Sequence, residues 1–421
     1  MNASRERPVV IIGAGLAGLA CGRELARRNV PFVILEAGDA VCGRLRTDRV
    51  DGFLLDRGFQ ALQTAYPEAK RVLNYESLAL NPFEPGALIR HNGQFVRMVD
   101  PWRRPLEMVP TMSNRIGTIG DRMKLGFLRH RLSSEPAEAL LNGPDTSTEE
   151  YLRKDLGFSD DFINQFLRPW FGGVFFDKTL SRSRRFFDFI FCMFAIGDTS
   201  LPAAGMQAIP QQLADSLPKD ALCLETPVES IDGLDVCLTT GERRPAAAVV
   251  IATDGVTAAR LAGGAFAEPE TSATTCVYYA ADESPLAEPM LVVNGDGDGP
   301  INNLSIPSDV AASYAPDGQS LVGVTVIDPE WIANPSLEEI VRLQLKDWFG
   351  KPTNQWRHLA TYRIPAALPA QRPGSVGLEP RHLRLRPGLY CCGDHCLTSC
   401  INGALQSGRF AATAVADDMD S

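Results

Sequence analysis

Apolar residues recur along this chain in two rhythms, and the first to appear is a short unbroken run. Val9-Val10-Ile11-Ile12 leads straight into Gly13-Ala14-Gly15-Leu16-Ala17-Gly18, after which helical spacing takes over from Leu19 to Leu25. A β-branched run that ends in a glycine turn reads as a buried strand, and the change of period reads as the helix after it. Pro31–Glu36 predicts a second strand. Ala247–Asp254 predicts a third, of the continuous apolar kind found in parallel sheets, and Gly388–Asp394 a fourth. Thr274–Ala281, Met290–Val293 and Leu321–Ile327 read as strands separated by turn signals such as Asn294–Gly299.

The helical rhythm is clear in several places. Tyr66–Leu73 reads as a helix, and the stretch from there to Met112 is rich in proline and glycine. Ser147 and Glu150 are spaced as a capping box ahead of an apolar-periodic run that Gly157 stops. Ser159–Phe171 predicts another helix, Ile209–Leu217 another, and Thr226–Ile231 a short strand. Leu337, Val341, Leu345 and Trp348 form one stripe between a Ser336/Glu339 capping pair and Gly350. Arg185–Ile196 is apolar on every side, which predicts a helix buried all round; its five Phe and one Met would also suit the wall of a greasy cavity. The basic cluster Arg182, Arg184 and Arg185 beside it is expected to be a solvated face. Pro365–Pro373 is expected to be a linker between domains.

The first turn carries chemistry. Strand, Gly-x-Gly-x-x-Gly and helix in that order form a dinucleotide-binding fingerprint. Gly13 permits the turn, Gly15 leaves room for a pyrophosphate, and Gly18 lets the helix lie close on the strand. Backbone N–H groups of Gly13, Ala14, Gly15, Leu16 and Ala17 then face phosphate charge at a helix start. Glu36, 23 residues after Gly13, is placed to accept a hydrogen bond from a ribose hydroxyl, with Ala37 beside it.

Composition narrows the class. With 421 residues the chain is too long for one simple core, and with 45% hydrophobic and 22% charged residues it is globular. A net charge of −10 excludes a partner recognised through its phosphate backbone, so no nucleic acid is expected. The longest apolar run, Phe189–Ile196, is far short of the roughly 20 residues of a membrane span. Peripheral membrane contact stays open. The first strand starts too early to leave room for a secretory signal, and ten cysteines without an export signal read as reduced thiols in a cytoplasmic protein. Cys391, Cys392, Cys396 and Cys400 cluster around His395, but His395 is adjacent to Cys396 and no paired Cys-x-x-Cys is present; no metal is expected. No nucleophilic triad and no paired carboxylates announce acid–base work, and no catalytic residue is named.

Three further pieces resemble a known family. Glu36 is followed by Cys42-Gly43-Arg44-Leu45-Arg46-Thr47 and by Gly52-Phe53-Leu54-Leu55-Asp56-Arg57-Gly58. Near the other end stand Gly393-Asp394 and Asn402-Gly403-Ala404 with Ser407-Gly408. This order resembles the FAD-dependent amine oxidase and phytoene desaturase superfamily. The resemblance implies an α/β fold: a Rossmann-like FAD-binding domain built from the discontinuous segments 1–63, 209–264 and 372–421, plus an α+β substrate domain from 64–208 and 265–371. It implies that Gly43 and Arg44 meet the FAD pyrophosphate, although Cys42 replaces the family's first loop glycine. It also implies an adenine-side contact through the backbone near Val228, a ribityl-phosphate contact at Gly393 and Asp394, and a helix start at Ile401, Asn402 and Ala404 facing the flavin pyrimidine edge. Cys400 stands where amine oxidases carry a cage tyrosine. Tyr362–Pro387 holds no cysteine to attach a flavin, so FAD is expected to be non-covalent. The expected reaction is hydride removal from a hydrophobic, isoprenoid-like or polycyclic small molecule, with oxygen or a quinone as electron acceptor. An amine or amino-acid oxidase, or a protein using FAD structurally or for a non-redox isomerisation, are the alternatives.

Overall fold

The computed structural model describes residues 7–107 and 115–420. Its first layer is a six-stranded sheet in the order Leu222–Cys223, Phe32–Leu35, Val9–Ile12, Ala248–Ile251, Leu389–Cys391 and Arg384–Arg386. The first five strands are parallel and the last is antiparallel. Ile12 lies level with Leu35 on one side and Ile251 on the other. The turns after these strands therefore open along one edge, where open parallel sheets bind their ligands. The central strands are fully apolar because both faces are covered. One face carries helices Leu16–Arg27 and Ile401–Asp420; a methyl group at Gly408 would sit 2.1 Å from the Ala17 carbonyl oxygen, so only glycine allows this crossing. The other carries helix Gly255–Leu261 and the antiparallel strands Val228–Asp232, Asp235–Leu238 and Arg243–Pro245.

The second layer is a seven-stranded sheet, ordered Arg357–Pro369, Thr271–Ala281, Ser320–Val326, Asn303–Ser305, Leu291–Asn294, Gly86–His91 and Gln94–Val99. It is antiparallel except where Leu291–Asn294 runs parallel to Gly86–His91. Helix Leu337–Phe349 buries the predicted stripe of Leu337, Val341, Leu345 and Trp348 against it. Helices Ile119–Ser133, Arg168–Phe175 and Arg184–Ile196 form a third, helical layer.

Several expectations need correction. The proline-rich piece is no linker: Pro365 and Pro369 lie within Arg357–Pro369, an edge strand, where a missing N–H costs least. The hairpin Gly86–Val99 was hidden in the Pro/Gly-rich stretch because its partner strand lies 200 residues away. Ser336 makes no side-chain cap, although the helix starts where expected. Ser147 does cap, through the Glu150 N–H, while the Glu150 carboxylate turns to Lys154. The basic cluster is not a solvated face either. Arg182 is buried and donates to Ser272, Arg184 lies 3.9 Å over the Tyr151 ring, and Arg185 donates to the Gly143 and Val376 carbonyls.

Candidate active site

A cavity of about 1710 Å³ runs from the strand ends of the first sheet to the helical layer. Its polar end is built by the glycine turn. Gly13 has φ +108°, and a methyl group at Gly18 would lie 1.9 Å from the Gly13 carbonyl oxygen. Both glycines are therefore structural. Gly15 differs: a methyl group there would meet nothing nearer than Gly43 Cα at 3.8 Å, in the cavity. No side chain caps the helix that begins at Leu16, so its first N–H groups remain available to an anion. The open space at Gly15, the helix start and the Gly43 loop together fit a pyrophosphate.

Glu36 sits at the end of the second strand as expected. Its carboxylate is held from both sides: Ala14 N–H donates to Oε2 at 2.7 Å and Gly38 N–H to Oε1 at 2.8 Å. The Ala14 N–H is thereby spent on Glu36, and Ala14 does not line the cavity, a correction to its place among the phosphate contacts. Gly13, Gly15, Leu16, Ala17, Glu36, Ala37, Gly43, Arg44, Val228, Gly393, Asp394, Ile401 and Ala404 all do. Arg44 donates to Asp394 Oδ1 at 2.6 Å and to the Ala367 carbonyl at 2.7 Å. Cys42 fills the missing glycine's place with its thiol 3.6 Å from the Ala40 carbonyl oxygen, folded inside the loop. Gln60, which sequence reading passed over, donates to the Arg44 carbonyl and leaves its Oε1 buried without a protein partner beside the same cavity.

The C-terminal piece needs one further correction. Asn402 does not face the cavity; its Oδ1 accepts the Glu68 N–H at 2.8 Å and ties the last helix to helix Pro67–Val72. Glu68 in turn pairs with Arg409 at 2.7 Å. Gly393 N–H donates to Ser407 Oγ at 2.9 Å, fixing the Gly-Asp turn over the last helix. His395 is buried beneath that turn, outside the cavity, with Nε2 3.5 Å from Cys391 Sγ; Cys391 and Cys396 lie 3.8 Å apart. The fold thus gathers Cys391, His395 and Cys396, which sequence spacing did not predict. Its hydrogen bond to Cys391, and then burial, push the Cys396 thiol up, favouring the neutral form.

The far end of the cavity is apolar. Phe166, Trp170, Phe171, Phe186, Phe191 and Phe194 line it. Helix Arg184–Ile196 therefore does both things its composition suggested: Phe187, Phe189 and Met193 pack in the core, while Phe191 and Phe194 meet the cavity. Tyr66, buried and stacked 6.1 Å from Phe189, sits next to Cys400 on the cavity wall. An aromatic thus reaches the Cys400 neighbourhood from a different part of the chain. Nothing in the local sequence marks this pairing.

Two buried carboxylic acids stand away from the cavity. Asp56, from the Gly-Phe-x-x-Asp-x-Gly segment, accepts from Thr47, the Met206 N–H and Tyr314; burial raises its pKa to about 6. Asp188, inside the apolar helix, is raised to about 6 by burial as well, against the pull of Arg184 and Arg131.

A parallel sheet with a glycine turn, the Glu36 carboxylate and the Arg44 guanidinium along one edge, opening into an apolar chamber under a second sheet, defines a flavin-dependent oxidoreductase fold. Residues 16–416 match the family model for flavin containing amine oxidoreductases, and the chain belongs to that family. Its cofactor is FAD. The chain is 23% identical over 177 residues to protoporphyrinogen oxidase 2 of Arabidopsis thaliana, covering 41% of this chain and 34% of that protein. It is 29% identical over 170 residues to an L-amino-acid oxidase of Crotalus adamanteus, covering 38% and 33%. These alignments span about a third of the relatives' length. An oxidoreductase from Methanosarcina mazei shares the fold with a TM-score of 0.74 at 19% identity, over 97% of this chain and 100% of that one. No helix among the described residues is long and apolar enough to cross a membrane.

Proposed function

We propose that this chain removes a hydride from a C–H bond of a hydrophobic small molecule, isoprenoid-like or polycyclic, with non-covalent FAD and with oxygen or a quinone as final acceptor. The observation that carries this is the continuity of the phosphate cradle with a chamber walled by Phe and Trp. FAD, when bound, supplies the hydride acceptor. The chain's own residues bind, orient and exclude water. Arg44, positioned by its bonds to Asp394 and the Ala367 carbonyl, would offer its remaining N–H groups to the pyrophosphate, Glu36 would take the ribose, and the helix start at Ile401 would present its positive end to charge gained by the ring. The domain division 1–63, 209–264 and 372–421 against 64–208 and 265–371 is part of the same proposal.

The walls favour an apolar substrate over a cationic one. Carboxylates on the cavity wall are already engaged: Glu84 with Arg97 and Arg104, Asp100 with Arg129, Asp394 with Arg44, and Asp254 with the N–H groups of Val256 and Thr257. An ammonium group would have to displace an arginine or a helix cap. The amino-acid oxidase relative keeps an amine reading open for test. Anaerobic titration of the purified flavoprotein decides. Bleaching of the flavin band by polycyclic or isoprenoid hydrocarbons and not by amines supports the proposal; bleaching by amines alone, with peroxide released in air, replaces it.

A further inference from the structure

We propose that Cys391, His395 and Cys396 bind a zinc ion that braces the Gly393–Asp394 turn from beneath. The site lies outside the cavity and does not depend on which substrate the cavity takes.

Sequence spacing sets His395 beside Cys396, yet the fold makes the three residues converge. Cys391 ends the strand Leu389–Cys391, and the single turn Asp394–Cys396 carries His395 and Cys396 back to it. The Cys396 N–H closes this turn on the Gly393 carbonyl at 3.0 Å. All three donor atoms then lie within 4.8 Å of one another. Zn–S bonds of about 2.3 Å and Zn–N bonds of about 2.0 Å, at the tetrahedral angle, put sulfur about 3.8 Å from sulfur and about 3.5 Å from nitrogen. Cys391 Sγ is 3.8 Å from Cys396 Sγ and 3.5 Å from His395 Nε2.

The imidazole is held in place for such a ligand. A methyl group at Gly393 would lie 2.4 Å from its Cε1, and one at Gly255 3.1 Å from its Cγ, so two glycines make room for the ring. Buried polar atoms are ordinarily paired. This ring is 3% exposed, its Nδ1 makes no hydrogen bond, and its Nε2 faces the Cys391 sulfur. Cys391 and Cys396 belong to the apolar cluster on one face of the parallel sheet, with Ile251, Phe266 and Leu389. Two thiolates and a neutral imidazole cancel the charge of Zn2+, and a neutral complex is the form an apolar core accepts at least cost. Binding forms two Zn–S bonds, and the two thiol protons leave to solvent. The chain supplies three corners of the tetrahedron, leaving the fourth to an exogenous ligand such as water. Ligands at 391, 395 and 396 bracket Gly393 and Asp394. The ion therefore fixes the turn that holds Asp394 2.6 Å from Arg44.

The test is elemental analysis of the flavin-loaded chain purified from cells grown with added zinc. About one zinc per chain is expected in the wild type, and less than about a tenth of that in the double variant Cys391→Ala, Cys396→Ala. Circular dichroism shows whether the variant is folded. If it is not, the wild type loaded with cadmium decides: cadmium NMR is expected to show one ion with sulfur and nitrogen donors. A zinc-free wild type overturns the proposal. So does zinc retained by the folded double variant, cadmium held by oxygen donors, or peptide mapping that finds Cys391 and Cys396 joined as a disulfide in place of the metal.

Discussion

Arg44 and Asp394 are 350 residues apart in sequence and bonded to each other, Nη2 donating to Oδ1 at 2.6 Å. On the proposed reading both meet the same cofactor, and their pairing would then orient the guanidinium before any phosphate arrives. Replacing Asp394 by Asn removes the charge that holds Arg44. FAD affinity is expected to fall by about tenfold or more, the scale of one charged hydrogen bond. Arg44→Lys keeps the charge and loses the fork, and should cost a similar amount. Fluorescence titration of deflavinated protein measures both; unchanged affinity in either variant removes that residue from the pyrophosphate site.

Glu36 gives a second handle. With its carboxylate held by two backbone N–H groups, Glu36→Ala leaves both donors without their acceptor and frees the ribose. Loss of about 1–3 kcal/mol in FAD binding is expected. Full flavin retention after prolonged dialysis of this variant would show that the ribose is held elsewhere.

The glycines separate two roles by one measurement. Gly18→Ala forces a methyl group to 1.9 Å from the Gly13 carbonyl oxygen and should lower the unfolding midpoint sharply. Gly15→Val projects into the open cradle and should leave a folded, colourless protein. If thermal melts show Gly15→Val as unstable as Gly18→Ala, the cradle is packing and not a binding site.

Asp56 sets a pH dependence. Its pKa rises from an ordinary 3.8 to about 6 on folding, through burial. The folded chain thus binds this proton more tightly than the unfolded chain. The contribution is fully present below about pH 4 and is lost as pH rises through about 6, amounting to about 3 kcal/mol. Asp188 acts in the same direction. Denaturant midpoints between these limits should flatten in Asp56→Asn, and an unchanged slope would place the titration elsewhere.

The cofactor layer was legible because its signals are local. Val9–Ile12 with Gly13 and Gly15, and Gly393 with Asp394, each carry strand, turn and glycine within a dozen residues. What stayed hidden depends on distant partners. Arg182 looks solvated until Ser272 arrives beside it. Asn402 looks aimed at the flavin until the Glu68 N–H claims it. Pro365 reads as a break, yet an edge strand tolerates it. Helix Ile119–Ser133 defeats periodicity for a different reason: it buries Leu128 and Leu132 beside Asp121 and Arg122 while Ile119, Met123 and Phe127 face solvent, so no single apolar stripe marks its inner face.

The parallel sheet also imposes an order on biosynthesis. Its strand Leu389–Cys391 and the helix wedged on Ala17 by Gly408 leave the ribosome some 400 residues after the turn they complete. Until then Ala248–Ile251 lacks its outer strand neighbour and Arg44 has no Asp394. A nascent chain stalled before residue 389 is therefore expected to expose a hydrophobic half-sheet, call on chaperones, and remain colourless even in excess FAD.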